Sequence, residues 1–191
     1  FVIIVGVLQR GFTKFKGKDA EIICQESIAA RAAVAIQVGD AELKTFPLLC
    51  QTLDKDISGD AEEVKEQLAR SMARCWWMFG EGRYDDDLPG GVNPLRILGF
   101  EIGENACFLC YSLIVPQESL TESAISKRDM LRYVSDTPYP QVVGKTYLEY
   151  IQAYGGPGNV LVGSDVSGGE AYGIVFVAKG ATGGVLGGVQ R

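Results

Sequence analysis

The chain has no histidine among its 191 residues, and this absence excludes several kinds of site. Histidine is the usual general base, the usual zinc and haem ligand, and a member of the Ser-His-Asp and Cys-His arrangements of hydrolases. Most familiar hydrolase mechanisms are therefore excluded. The Gly-rich stretch 155–169 also lacks the G-x-G-x-x-G and G-x-x-x-x-G-K-[ST] patterns that cradle phosphate groups, so we interpret it as turns.

Positive charge is scarce, because 18 Lys and Arg residues stand against 24 Asp and Glu residues and the net charge is −6. Nucleic-acid binding requires clustered Lys and Arg that displace counterions from phosphates, so nucleic acid is not an expected partner. The composition, 47% hydrophobic and 22% charged, is that of a globular protein and predicts a single domain. The sequence identifies no small-molecule substrate.

Long apolar runs are also lacking. The N-terminal run 1–8 has eight residues, whereas a membrane-spanning helix needs about 20. It is compatible with the end of a membrane anchor, with a strand lent to a neighbouring subunit, or with an ordinary buried strand. We interpret 1–17 as an apolar and basic segment for anchoring or assembly. Its predicted assembly residues are Phe1, Val2, Ile3, Ile4, Val5, Val7 and Leu8.

The C-terminal segment 180–191 is rich in glycine and differs in composition from the domain 18–179. Its glycines recur four residues apart, a spacing that forms a smooth ridge on a helix and permits close backbone contact. The segment is either a flexible end or the start of a membrane or intersubunit helix. The glycines assigned to assembly are Gly180, Gly184 and Gly188.

Helix and strand patterns alternate along 18–179 and predict an α+β fold, in which an antiparallel or mixed sheet packs with helices. The clearest helix begins at Asp60, whose side chain and that of Glu63 form an Asp version of the capping box. Apolar residues then follow at helical spacing and predict a buried stripe of Val64, Leu68, Met72, Cys75 and Phe79. The continuously apolar residues 106–115 predict a central strand, and 159–180 predict a hairpin.

Five cysteines are more than a cytosolic protein usually carries, which favours an oxidising, extracytoplasmic location. Cys107 and Cys110 form a C-x-x-C pair, but residues three apart in a strand point to opposite faces, so the two sulfur atoms diverge. We therefore predict that at least one of them pairs with a distant cysteine, such as Cys50 or Cys75. Buried free thiols, a thiol-disulfide oxidoreductase pair and a metal site remain alternatives.

The segment 54–65 has oxygen-bearing residues at several positions of a calcium-binding loop, with glycine at the sixth position. The twelfth position is Lys65, where such a loop needs a bidentate Glu, and Asp60 is already explained as a helix cap. Calcium is therefore an alternative cofactor, in a calcium-binding interaction module. Its predicted ligands are Asp54, Asp56, Ser58 and Asp60.

The stretch CWWMFGEG at 75–82, together with CFLC at 107–110 and the apolar start, resembles a group of uncharacterised archaeal membrane-anchored proteins. The resemblance implies an N-terminal membrane helix, a cysteine-containing domain and a Gly-rich C-terminal segment. It implies no reaction.

These observations together predict a non-enzymatic, extracytoplasmic structural or assembly protein. The chain is expected at the cell surface, anchored to a membrane or self-associating into homo-oligomers or filaments. This expectation rests on three observations: the ends are apolar or carry a glycine ridge, the chain has five cysteines, and no pattern in the sequence brings a set of catalytic residues together.

Overall fold

The computed structural model describes residues 17–38, 47–82, 106–120, 124–153, 160–178 and 187–190, which form helices packed against a mixed β-sheet. The helices are α1 (Lys18–Val38), α2 (Ala61–Met78), α3 (Lys127–Asp136) and α4 (Tyr147–Gln152). The strands are β1 (Leu53–Asp56), β2 (Ala106–Val115), β3 (Val160–Val162), β4 (Glu170–Ala178) and β5 (Gly187–Gln190). Short 3-10 turns occur at Gly80–Gly82 and Gln117–Leu120. The predicted α+β class is confirmed.

The five described strands lie in the order β1-β2-β4-β5-β3. β1 pairs with β2 in parallel, β2 and β5 each pair with β4 in antiparallel, and β3 pairs with β5 in parallel. The long β2 and β4 form the middle of the sheet, with Ala106 opposite Ala178 and Val115 opposite Glu170. The prediction that 106–115 forms a central strand is confirmed.

The predicted hairpin at 159–180 is wrong, because β3 and β4 are not neighbours. β5 lies between them and pairs with both. The chain between β3 and β4 instead turns back towards other elements: Val166 forms a bridge with Ile125, and the Gly169 amide donates to the Val115 carbonyl at 2.8 Å. β5 therefore occupies the position next to β4 that a hairpin would give to β3.

The amino end of α2 has the predicted capping box. The Asp60 carboxylate accepts from the amides of Glu62 and Glu63 at 2.9 Å, and the Glu63 carboxylate accepts from the Asp60 amide at 3.1 Å. The predicted stripe is buried throughout, with Val64 and Leu68 completely inaccessible to solvent. At the other end, Phe79 stacks on Phe176 of β4 with 4.2 Å between ring centroids. The apolar stripe therefore fixes α2 on the sheet.

Most of the predicted assembly residues lie outside the described part of the chain, including all of 1–8, Gly180 and Gly184. Gly188 lies in β5, where it pairs with Leu161 and Val175. The expectation of a helical ridge or a flexible end is therefore wrong at Gly188, because strand pairing within the same chain fixes its backbone. No helix in the described residues is both long and apolar enough to cross a bilayer.

Candidate functional site

Four of the five cysteines form two disulfides. Cys24 of α1 is joined to Cys50, and Cys75 of α2 is joined to Cys110 of β2. The second bond attaches α2 to β2 in the middle of the sheet. Its α2 cysteine, Cys75, is one of the two distant partners predicted for the C-x-x-C pair. Disulfides persist in oxidising compartments and are rare in the cytosol. The two bonds therefore indicate an oxidising, extracytoplasmic environment.

Cys107 has an exposed free thiol, so its assignment as a disulfide candidate is corrected. It points away from Cys110, which is buried at 1% exposure, so the two sulfur atoms do not face each other. This arrangement gives no support to a thiol-disulfide oxidoreductase that uses both. Cys24 was not among the predicted disulfide cysteines, although Cys24 and Ile28 are four residues apart on one helix face, and both are buried.

The predicted calcium ligands are distributed over three local structures. Asp54 and Asp56 lie in β1 and are exposed, Ser58 follows the strand, and Asp60 caps α2. Backbone conformation explains Gly59 without a metal, since its φ of 121° is one that residues with a side chain rarely adopt. Within the described ranges, no group of three or more Cys, Asp or Glu residues is placed to hold a metal ion. The calcium loop stays a prediction that this geometry does not support.

One surface of the sheet has apolar side chains that reach solvent, and we call it the outer face. It consists of every second residue of the two middle strands, and these residues pair across β2 and β4. In β2 the alternation is interrupted once, where the register shifts between Leu109 and Tyr111. Leu109 is 41% exposed and Ile114 is 50% exposed, and Cys107 lies at the same face. The residues of the outer face are Cys107, Leu109, Ser112 and Ile114 of β2 and Ala171, Gly173, Val175 and Val177 of β4.

A polar cleft of about 1010 Å³ lies among the start of α1, the strand β1, the last half of α2 and residues 139–141. Its charged lining has four basic and two acidic residues, although the whole chain has a net charge of −6. The cleft is therefore a locally positive region on an acidic protein. These lining residues are Lys18, Lys55, Arg70, Arg74, Glu21 and Asp54.

Glu21 is the centre of a buried hydrogen-bond network beside this cleft. One carboxylate oxygen accepts from the Tyr111 hydroxyl at 2.6 Å, and the other accepts from Arg74 Nε at 2.7 Å. Arg74 also places its guanidinium 4.0 Å from the centroid of the Trp77 ring. Both carboxylate oxygens are thus occupied by donors, and the negative charge is compensated by one arginine.

Lys55 reaches from β1 towards α2. Its ammonium donates to Ser71 Oγ at 3.0 Å, and that hydroxyl donates to the Gln67 carbonyl at 2.7 Å. Burial lowers the pKa of Lys55, the carboxylate of Glu21 raises it, and the charge of Arg70 lowers it further. Lys55 is therefore a partly buried cation whose direct partner is a neutral hydroxyl.

Several tyrosine side chains are buried around the same region. Burial, followed by the hydrogen bond to Glu21, raises the pKa of Tyr111 well above its ordinary value. Burial raises the pKa of Tyr139 to about 12. Burial, followed by the hydrogen bond to Glu81, raises the pKa of Tyr150. Each phenol is therefore held neutral in the folded chain at pH values where a free phenol ionises.

This neutrality predicts a loss of stability in alkali. A tyrosine in the unfolded chain ionises near pH 10, while Tyr139 retains its proton to about pH 12. Between these values the folded state binds more protons, so the free energy of unfolding falls as pH rises through the window. Urea unfolding at pH 9, 10 and 11, followed by fluorescence, should show this fall. A stability that is constant to pH 11 would contradict it.

The polar cleft was not predicted from the sequence, because the residues that form it are far apart in the chain: Glu21 is 53 residues from Arg74 and 90 from Tyr111. One signal was present. Leu53 and Ile57 are buried, and the alternation of a strand places Lys55 on the same side as these apolar residues. A lysine on the buried, apolar side of a strand indicates a polar site next to the core.

Comparison of the chain with protein-family models, with curated proteins and with solved structures found no match. The resemblance drawn from 75–82 and 107–110 stays a prediction.

Proposed function

We propose that this chain is a non-enzymatic, extracytoplasmic structural protein that assembles with further copies of itself through the outer face of its sheet. One observation carries the proposal: an exposed free thiol, Cys107, lies at an apolar surface in a domain whose other cysteines all form disulfides. An unpaired cysteine in an oxidising compartment indicates either pairing between chains or a free reactive thiol, and the apolar surface around Cys107 favours pairing.

The exposed side chains at the outer face favour a second copy as its occupant. Leu109 and Ile114 expose 41% and 50% of their surfaces, and covering such surface stabilises by about 25 cal/mol per Å². Two identical chains related by a two-fold axis present the same patch to each other. The patch therefore needs no second kind of protein to cover it.

The edge of the sheet at β1 is less suited to assembly than the outer face. Asp54 and Asp56 are exposed on this short strand, and charges on an edge strand disfavour the addition of another strand. Face-to-face contact is thus preferred to edge pairing at β1. Addition of residues 1–8 to a neighbour's sheet, giving filaments, and attachment to a membrane through the same residues stay predictions outside the described part of the chain.

The double variant Leu109→Glu, Ile114→Glu tests the proposal. Light scattering during size-exclusion chromatography at up to about 100 µM should show oligomers for the wild type and monomers for the variant, since carboxylates at a desolvated contact oppose association. Leu131→Glu, Val143→Glu is the matched control, because both residues are exposed and apolar but lie outside the outer face. A monomeric wild type, or equal association of both double variants, would refute the proposal.

Cys107 gives an independent prediction about the same contact. Oxidised glutathione should convert two Cys107 thiols into one intermolecular disulfide and release two glutathione thiols, so that electrons and protons balance. A non-reducing gel should show a band at twice the chain mass. The band should be absent from Cys107→Ser and weaker in the Leu109→Glu, Ile114→Glu variant. Exclusive formation of a glutathione adduct on the monomer would place Cys107 away from any contact between copies.

A further inference from the structure

The polar cleft has more positive charge than its own carboxylates compensate. Glu21 binds Tyr111 with one oxygen and Arg74 with the other, so its direct partners are a phenol and one guanidinium. In the described residues, no carboxylate lies at ion-pair distance from Lys55, whose ammonium donates to the neutral Ser71 hydroxyl. Among the residues that the structure describes, Lys55 therefore holds a charge that is partly removed from water and has no carboxylate as its direct partner.

Arg70 adds to this excess. It lies on α2 and lines the same cleft, and its charge acts against the charge of Lys55. Its partner, Glu66, is on the solvent side of the helix, where the two side chains are 51% and 44% exposed. The guanidinium also acts on the Tyr147 hydroxyl, whose pKa is raised by burial and lowered by Arg70. Because an exposed ion pair of this kind is weak, the guanidinium can exchange Glu66 for a ligand that binds it more strongly. Two like charges facing one cleft favour an anion placed between them.

We propose that the cleft binds a small organic anion whose carboxylate or phosphate group is held between Lys55 and Arg70. Arginine binds either oxyanion through two parallel hydrogen bonds, and the lysine ammonium adds a point charge. The volume of about 1010 Å³ is at the upper end of the usual range for small-molecule sites, so the cleft has room for an anion larger than a single phosphate group. Uncharged polar residues, such as Thr52 and Gln141, complete the lining.

The position of the cleft supports the same ligand class. Gly17 and Lys18 line it, so α1 begins at its edge, and the amino end of a helix has a partial positive charge. The Glu21 network fixes Arg74 and Tyr111 behind the site. Lys55 and Arg70 face the cleft from β1 and α2, and Lys18 adds a further positive charge at its edge. This site is separate from the outer face, and its occupancy does not depend on assembly.

Calorimetric titration of the full-length, disulfide-bonded chain with citrate and, separately, with pyrophosphate tests the proposal. Sodium chloride at matched ionic strength is the control for screening. We expect saturable heat from at least one of the two anions. Heat from citrate alone identifies a carboxylate site, and heat from pyrophosphate alone identifies a phosphate site. The absence of saturable heat from both, at up to about 5 mM anion, would overturn the proposal.

Lys55→Met and Arg70→Gln identify the site. Each should weaken binding at least about tenfold, because each removes a charge-assisted contact. The Lys55→Met variant should keep its melting temperature or raise it, since burial opposes the lysine charge in the absence of a ligand. The matched control is Arg132→Gln, which makes the same change of charge on exposed α3, outside the cleft. Its affinity should stay within about twofold of the wild type. Equal weakening by all three variants, or by none, would show non-specific charge attraction only and would refute the proposal.

Discussion

Glu21→Ala is expected to lower the free energy of unfolding by about 3 kcal/mol. The side chains of Glu21 and Arg74 are only 12% and 19% exposed, so removal of the carboxylate leaves a poorly solvated guanidinium without its counter-charge. The Tyr111 hydroxyl loses its acceptor in the same variant. For a domain of this size the corresponding fall in melting temperature is roughly 6–12 °C. Urea unfolding followed by tryptophan fluorescence measures the change.

A matched ion pair on the surface provides the control for Glu21. Glu66→Ala removes the carboxylate partner of Arg70, but both side chains in that pair are about half exposed. Glu66→Ala should lower the free energy of unfolding by less than about 1 kcal/mol, because water and salt screen exposed ion pairs. Glu21→Gln should be intermediate, since the amide oxygen can still accept from Tyr111 while the charge is lost. Equal costs for Glu21→Ala and Glu66→Ala would show that the buried network contributes little to stability.

Removal of the bond between Cys75 and Cys110 is the second change with a large expected effect. In the double variant Cys75→Ala, Cys110→Ala the free energy of unfolding should fall by roughly 4 kcal/mol, because the bond closes a loop of 35 residues and restricts the unfolded chain. Both sulfur atoms are also buried, so their removal leaves space in the core. Urea unfolding under non-reducing conditions, analysed as a two-state transition, measures the loss.

Two further variants separate the effect of the bond from the effect of losing sulfur atoms. The variant Cys24→Ala, Cys50→Ala removes the other disulfide, which closes a loop of 26 residues. Its free energy of unfolding should fall slightly less, because the loop is shorter and Cys50 is only partly buried. Cys107→Ser should change the stability of the monomer by less than about 0.5 kcal/mol, because this exposed thiol forms no disulfide. A stable Cys75→Ala, Cys110→Ala variant would mean that packing alone fixes α2 on the sheet.

The sequence predicted most successfully where a pattern is local. The capping box at Asp60 and Glu63 lies within four residues, and the stripe from Val64 to Phe79 repeats with the period of one helix. The opposite directions of Cys107 and Cys110 follow in the same way from the alternation of a single strand. Each prediction needs only the geometry of one element, and each agrees with the structure.

The sequence predicted least successfully where one segment has to meet another. It placed β3 and β4 in a hairpin because short strands separated by glycine-rich turns usually pair, yet β5 occupies the position between them. It assigned Gly188 to a helical ridge, because glycine spacing does not reveal a strand partner 13 residues away at Val175. Most of the polar cleft was missed for the same reason.

The sequence by itself determined the α+β class, the start and buried face of α2, the central position of β2 and the divergence of the C-x-x-C sulfur atoms. Tertiary structure alone decided that Cys110 meets Cys75, that β5 separates β3 from β4, and that Glu21 meets Arg74 and Tyr111. The physical reason is that periodicity records which side of an element is buried. The choice of partner depends on the closure of long loops around one common core, and no short pattern in the chain records it.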